Sequence, residues 1–163
     1  MTTSTKVSVY DGVTRIEASC TIAAPRHAGW HVLAVPGRIA EWHPMIKQSE
    51  SCGAAVSGNN AERICSLRPM GSMHEKISEW QDGYSYRSSV VGGRLLPPVQ
   101  FMHGTVALQD SGQHTCVRFV LRYKMKYGRI GRAMDASLIR QLFKQSPRAY
   151  VEGLRDFVLT APV

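Results

Sequence analysis

Two neighbouring stretches of the sequence decide the fold class. Residues 115–126 read TCVRFVLRYKMK, and residues 131–159 read GRAMDASLIRQLFKQSPRAYVEGLRDFVL. The first stretch alternates apolar and polar side chains, which is typical of a β-strand with one buried face. The second stretch places apolar side chains such as Met134, Leu138 and Leu142 at helical spacing. It therefore predicts a long C-terminal helix, packed against a sheet to which the strand belongs.

The same reasoning predicts six further strands towards the N-terminus. They are expected at residues 14–22, 45–51, 62–67, 73–80, 84–91 and 101–109. Two short helices are expected after the first of them, one beginning near Pro25 and one at 38–42. Tight turns such as Asp82-Gly83 join successive strands as hairpins. We therefore expect an α+β fold in which a seven-stranded curved antiparallel sheet wraps around the C-terminal helix, and Pro147 should kink or split that helix.

The length and composition indicate one globular domain. The 163 residues, 44% of them hydrophobic and 20% charged, suffice for a hydrophobic core without metals or disulfides. Residues 1–12 read as a polar tail that frays, and residues 13–163 as the single domain. The N-terminus lacks the apolar segment of a secretory signal, and no apolar run reaches the ~18 residues that span a bilayer. A cytoplasmic protein without disulfides is therefore the expectation.

The chain carries a net charge of +8, which favours anionic partners. The charges are scattered and form no block of five or six, which argues against nucleic-acid binding. A basic row on the outer face of the last strand leaves open the function of an interaction protein, in which that face docks a protein partner. It is made by Arg118, Arg122, Lys124 and Lys126. A homodimer is also left open.

Several short motifs resemble one superfamily when they are taken in order. They are Ile22-Ala23-Ala24-Pro25 with Trp30, Glu41-Trp42-His43-Pro44, Glu75-Lys76-Ile77, Glu79-Trp80-Gln81-Asp82-Gly83, Val90-Val91-Gly92-Gly93, His103-Gly104-Thr105 and Tyr150-Val151-Glu152-Gly153-Leu154. Over residues 14–159 the chain resembles the SRPBCC superfamily of START-related and birch-pollen-allergen-like proteins, most of all its polyketide cyclase/dehydrase and lipid-transport branch. This resemblance implies a helix-grip fold with a cavity for a hydrophobic ligand between sheet and helix.

Four side chains are candidates for chemistry in that cavity. Glu75 is the first, because among apolar neighbours its pKa should rise and let it act as an acid or base. The alternative is that Glu75 forms a structural ion pair with Arg63 or Arg68. His43, Tyr86 and Tyr123 are the other catalytic candidates.

Strand parity and the resemblance together nominate a set of ligand-binding residues on the inner face. They are Met45, Cys65, Leu67, Met73, Ile77, Ser88, Met102, Phe119, Leu121, Leu142, Ser146 and Tyr150. The loops around Pro69 and Pro97 should edge the mouth of the cavity as flaps. The sequence predicts no cofactor and no metal site, since His27 and His31 share a helix face without a third ligand.

The sequence thus predicts a domain that binds a hydrophobic small molecule, aromatic, polyketide-like or lipid. The alternative within the same cavity is a cyclase or dehydratase that uses Glu75 and a cavity tyrosine as acid and base. Fold alone does not decide between binding and catalysis.

Overall fold

The computed structural model describes residues 2–160 and contains one antiparallel sheet of eight strands. The strands are β1 (Ser4–Tyr10), β2 (Val13–Ile22), β3 (Ile46–Cys52), β4 (Glu62–Leu67), β5 (Ser72–Gln81), β6 (Ser85–Arg94), β7 (Val99–Ser111) and β8 (His114–Met125). Their order across the sheet is β1-β2-β8-β7-β6-β5-β4-β3. The expectation of an α+β helix-grip architecture is confirmed.

The strand count of seven is wrong by one. The additional strand, β1, lies within residues 1–12, where we expected a fraying tail, and it pairs with β2 from Ser4↔Ser19 to Tyr10↔Val13. The turn between them is Asp11-Gly12, with positive φ at both residues. Two central residues of this kind match the twist of a two-residue hairpin, so the signal that correctly placed the turn at Asp82-Gly83 was also present at the N-terminus.

The helices lie in two groups. After β2 come α1 (Arg26–Leu33) and a 3₁₀ helix (Pro36–Glu41), as predicted. After β8 come α2 (Gly128–Met134), a π-helical turn (Asp135–Ile139) and α3 (Arg140–Thr160). The helix is not split at Pro147, which lies inside α3; its irregular turn comes earlier, at the π-helical segment. Among residues 2–160, no helix combines the length and apolar character that crossing a bilayer requires.

The core lies between the inner face of the sheet and the second half of α3. Tyr150, Val151 and Leu154 are buried there, and β2 alternates buried and half-buried side chains along its whole length. The helix comes close enough to the loop after the 3₁₀ helix that a Cβ at Gly153 would collide with the Trp42 carbonyl oxygen. Glycine at this position is what allows the close contact.

The first half of the C-terminal helical region buries other residues than the predicted apolar stripe, with Asp135 and Ile139 only 3% and 7% exposed. Met134, Leu138 and Leu142 are 39%, 59% and 55% exposed, although the sequence pattern predicts a continuous apolar stripe. The predicted stripe is buried only in the second half of the region, at Tyr150 and Leu154. The space left beneath its first half is where the cavity lies.

Candidate functional site

A cavity of about 300 Å³ lies between the inner face of the sheet and α3. Twelve of the sixteen predicted site residues line it. They are His43, Met45, Leu67, Met73, Glu75, Ser88, Met102, Phe119, Leu121, Leu142, Ser146 and Tyr150. Strand parity succeeds here because side chains alternate strictly between the two faces of a sheet.

The mouth of the cavity is bordered by two loops, residues 68–71 and 95–97, which we call the mouth loops. Both carry exposed apolar side chains, with Met70 at 65% and Leu95 at 75% exposure. The loops lie close together: a Cβ at Gly71 would lie 2.9 Å from the carbonyl oxygen of Arg94, the residue before the second loop, and 3.5 Å from that of Leu95. Apolar side chains at the rim are suited to covering an apolar guest.

The closed side of the cavity carries a buried ion pair. Arg63 and Glu75 face each other on β4 and β5, and Arg63 Nε donates to Glu75 Oε2 at 2.8 Å. The two side chains are only 2% and 8% exposed. Arg63 Nη1 also donates to the Pro36 carbonyl oxygen at 3.0 Å, which fixes the guanidinium between the sheet and the 3₁₀ helix.

This pairing overturns the expectation that the pKa of Glu75 is raised. Burial does raise it, but the attraction of Arg63 and the hydrogen bonds from Arg63 and Ser88 outweigh burial, so the Glu75 pKa lies below its ordinary value. Glu75 is therefore a carboxylate at neutral pH, and it accepts hydrogen bonds rather than donating one. The ion-pair alternative with Arg63 is the one that the structure contains.

His43 is buried beside the ion pair, with 4% of its surface exposed. Its Nδ1 accepts the backbone N–H of Met45 at 3.2 Å. Burial, together with the nearby positive charge of Arg63, lowers the pKa of His43 to about 4. The ring is then neutral near pH 7, and since Nδ1 is an acceptor, the proton is assigned to Nε2. His43 thus offers the cavity wall a neutral N–H donor.

Tyr150 connects the helix to this polar wall. Its ring stacks on Phe119 with a centroid separation of 4.0 Å, and its hydroxyl lies 3.2 Å from the Tyr86 hydroxyl. Burial raises the Tyr150 pKa well above its ordinary value, so the group stays a neutral phenol. Among the predicted tyrosines, Tyr150 lines the cavity while Tyr86 lies behind it.

Four predicted residues do not line the cavity: Cys65, Ile77, Tyr86 and Tyr123. All four are buried on the inner face of the sheet, as strand alternation predicts, but they lie beyond the stretch of each strand that lines the cavity. Tyr86 stacks on Trp80 beyond the closed end, with centroids 5.4 Å apart. Tyr123 donates to Asp135 Oδ1 at 2.5 Å, beneath the π-helical turn.

The sequence reasoning missed several cavity residues. Besides Arg63 they include Ile39, Ile46, His103 and Phe143. For Arg63 a signal was present, because it shares a strand face with Cys65, which was assigned inward. A charged residue at an inward position implies a buried partner, and Glu75 is its partner across the strands.

A second, open groove of about 790 Å³ lies outside the cavity, between α3 and the loop at Trp42. Its floor carries Arg148 and Glu152, which pair with each other at 3.0 Å. Exposed pairs of this kind are the ordinary surface of a helix. The enclosed cavity is therefore the candidate site.

Comparison with solved structures finds the same fold in proteins of remote sequence. The Zhui aromatase/cyclase from Streptomyces sp. R1128 is 13% identical, with a TM-score of 0.75 over 90% of this chain and 94% of that one. Norcoclaurine synthase from Thalictrum flavum, in complex with dopamine and hydroxybenzaldehyde, is 15% identical, with a TM-score of 0.72 over 93% and 89%.

A plant protein of a different description has the same fold. The major latex-like protein 151 from Panax ginseng is 11% identical, with a TM-score of 0.75 over 91% of this chain and 99% of that one. No curated protein matches this sequence. A family model does match it across nearly the whole domain, over residues 13–158, and by that match the chain belongs to the polyketide cyclase / dehydrase and lipid transport family.

Proposed function

We propose that this protein binds a hydrophobic small molecule, most suitably an aromatic or polyketide-like one, in the cavity between the sheet and α3. The observation that carries the proposal is an apolar cavity with one polar wall. Met73, Met102 and Leu121 supply apolar surface, while the Arg63–Glu75 pair supplies charge. Small-molecule sites generally combine an apolar lining with a few converging polar groups.

The polar wall suggests what the guest carries. Ionised Glu75 accepts a hydrogen bond, and neutral His43 donates one through Nε2. A phenol or hydroxyl group would satisfy the first, and a carbonyl oxygen the second. The volume of about 300 Å³ is at the small end of ligand cavities, which span about 300–1,000 Å³. A molecule of one to three rings with oxygen substituents fits these constraints better than a long-chain lipid.

The family and its structural neighbours support this ligand class. The family description joins polyketide chemistry with lipid transport. One neighbour is an aromatase/cyclase, and another holds dopamine and hydroxybenzaldehyde. These names support an aromatic guest for the shared fold without naming the guest of this chain.

Catalysis by Glu75 with Tyr86 or Tyr123 has less support. Neither tyrosine lines the cavity, and the lowered Glu75 pKa makes that carboxylate a poor proton donor at neutral pH. Binding of a guest requires only the hydrogen-bonding groups of the polar wall in the protonation states described above. We therefore favour a carrier or sensor function over a cyclase or dehydratase.

The test is to fill the mouth and measure probe binding. Leu142 lines the cavity and is 55% exposed, so Leu142→Trp should narrow the opening with little cost in stability. The fluorescent probe anilinonaphthalene sulfonate, an anion with three aromatic rings, should bind the wild type with one-to-one stoichiometry. We expect its affinity to fall at least tenfold in Leu142→Trp, about 1.4 kcal/mol.

Leu138→Trp is the matched control. Leu138 is 59% exposed, precedes Leu142 by four residues and does not line the cavity. It should bind the probe like the wild type. Equal loss in both variants, or equal binding in both, would contradict a guest in this cavity.

A further inference from the structure

A second group of polar side chains lies on the opposite face of the sheet from the cavity. Cys52 on β3 is the cross-strand partner of Glu62 on β4. His74 on β5 pairs with Ile64, two residues from Glu62 on the same strand face. Arg63 and Cys65 point to the other, inner face, so three neighbouring strands bring a thiol, a carboxylate and an imidazole together on the outer one.

The potential ligand atoms of this group all lie within 4.8 Å of one another. Cys52 Sγ and His74 Nε2 are 3.6 Å apart. Tetrahedral zinc, with bonds of about 2.3 Å to sulfur and about 2.05 Å to nitrogen, holds these two atoms about 3.6 Å apart. The thiol and the imidazole are thus already at the separation that a shared zinc ion requires.

Glu62 needs only a small adjustment. Its Oε2 lies 2.8 Å from His74 Nε2, a hydrogen-bond distance. A zinc ion between them would part the two atoms to about 3.4 Å. The Glu62 side chain is 29% exposed, and its outer atoms are free to make this movement of about half an ångström.

We propose that Cys52, Glu62 and His74 bind one zinc ion on the outer face of β3, β4 and β5. Sulfur, nitrogen and carboxylate oxygen are the donor types that zinc takes, and three protein ligands leave its fourth position to water. The three side chains are partly exposed, so an ion can reach them from solvent. Thiolate and carboxylate together balance the double charge of the ion.

Two neighbouring charged side chains, Lys76 and Glu50, affect how well the site can bind a cation. Lys76, the cross-strand partner of Glu62, is exposed on the same face and can compete with the ion for that carboxylate. Glu50, two residues before Cys52, lies on the same face and adds negative charge. The alternative to a metal site is therefore a Glu62–His74 hydrogen bond with the thiol beside it.

The site escaped the sequence reasoning because its ligands are far apart along the chain. Positions 52, 62 and 74 match none of the short spacings from which zinc motifs are usually read. Only the register of three strands brings them together. A zinc ion here would also tie the edge strand β3 to β4 and β5.

Cobalt is the probe that tests the site, because Co²⁺ replaces Zn²⁺ in tetrahedral sites and shows a thiolate charge-transfer band. The full-length protein, freed of metal and kept reduced with a non-thiol reductant, should bind one equivalent of Co²⁺ with this band, and Zn²⁺ should displace it. Zinc should also raise the Tm, because binding to the folded state stabilises it.

Single substitutions then assign the ligands. Cys52→Ser should abolish the band. Glu62→Gln and His74→Gln should each weaken zinc binding by about 100-fold or more, because loss of a residue that only supports a ligand already costs about 10–100-fold in metal affinity. Cys116→Ser and Glu50→Gln are the controls, a half-buried cysteine elsewhere and a neighbouring carboxylate. All five positions lie outside the cavity lining, so the variants should keep the wild-type affinity for the fluorescent probe.

Three results would overturn the proposal. They are no stoichiometric binding by the wild type, a charge-transfer band that persists in Cys52→Ser, and zinc affinity that is unchanged in both Glu62→Gln and His74→Gln. The fluorescent probe reports on the cavity and cobalt on the outer face of the sheet. The ligand-binding proposal and the zinc proposal are therefore tested independently of each other.

Discussion

Two buried carboxylates, Glu75 and Asp135, look alike in chemistry and differ in what surrounds them. Both contact an arginine and both have a pKa below the ordinary value, although burial alone would raise it. Glu75 lies on the cavity wall, and its partner Arg63 is 2% exposed. Asp135 begins the π-helical turn, and its partner Arg140 is 30% exposed.

The hydrogen bonds of Asp135 explain its position. It accepts the hydroxyl of Thr14 on β2 at 2.8 Å and that of Tyr123 on β8 at 2.5 Å, and it contacts Arg140 at 2.7 Å. These bonds anchor the irregular start of the helix to two strands. A buried, perturbed carboxylate is therefore an anchor in one region and part of the cavity wall in the other. What separates them is contact with a cavity, because burial and pKa direction are the same.

The largest expected effect comes from breaking the Arg63–Glu75 pair. Glu75→Leu leaves Arg63 charged, buried and without its partner, and removing one member of such a pair costs about 3–5 kcal/mol. Urea unfolding followed by circular dichroism measures the loss in the free energy of unfolding.

The double variant Arg63→Met/Glu75→Leu is the control for this interpretation. Replacing both members with apolar side chains of similar volume should recover most of the lost stability. If the double variant is as unstable as the sum of the two single variants, the cost lies in packing and not in the unpaired charge.

A smaller effect, set by pH, should trace to His43. Its pKa is about 4 in the folded protein, against about 6.5 in an unfolded chain. Between these values the unfolded chain binds more protons than the folded protein. The contribution of neutral His43 to the free energy of unfolding is therefore complete above pH 6.5 and is lost as the pH falls towards 4. The difference between the two pKa values corresponds to about 3 kcal/mol in the free energy of unfolding.

Comparing wild type with His43→Gln isolates this contribution. The free energy of unfolding of His43→Gln should fall less between pH 6.5 and pH 4.5. His103→Gln is the control, because that pKa is also lowered but the side chain is only half buried. Parallel pH profiles for wild type and His43→Gln would contradict a neutral, buried His43.

The smallest of the three effects is expected at the anchor. Asp135→Asn keeps one oxygen acceptor but removes the charge, and Arg140 can turn to water, so we expect a loss of about 1–3 kcal/mol. The fluorescent-probe affinity should stay the same, because Asp135 does not line the cavity. Asp110→Asn, which breaks a surface pair with Arg26, should change stability by less than about 1 kcal/mol.

Much of the fold follows from sequence periodicity, because the alternation of a strand and the spacing of a helix are fixed by the backbone. Parity correctly put Met102, Phe119 and Leu121 on the inner face and on the cavity. The same rule put Tyr86 and Tyr123 on that face, but it carries no information on where along the strand a cavity begins. That boundary depends on where α3 leaves the sheet.

The sequence alone could not select partners across strands. The raised pKa expected for Glu75 followed from its apolar neighbours along one strand, and Arg63 on the next strand reversed it. The ligands of the proposed zinc site are likewise assembled by register. In both cases the register between strands decides the chemistry: the sequence offered Arg63 as one possible partner of Glu75 but could not select it, and it did not indicate the zinc ligands at all.

The order of the strands has a consequence for synthesis on the ribosome. β2 pairs with β8 from Val13↔Lys124 to Ile22↔Thr115, so the two partners are about 100 residues apart in the chain. β1, its other neighbour, is already made, but at about 5–20 residues per second β2 waits several seconds or more for β8. During that interval the β1–β2 hairpin has no larger sheet to join, and the apolar face of β2, including Ile16 and Ile22, is uncovered. The nascent chain should therefore depend on chaperone cover until β8 emerges, a need that the finished protein no longer has.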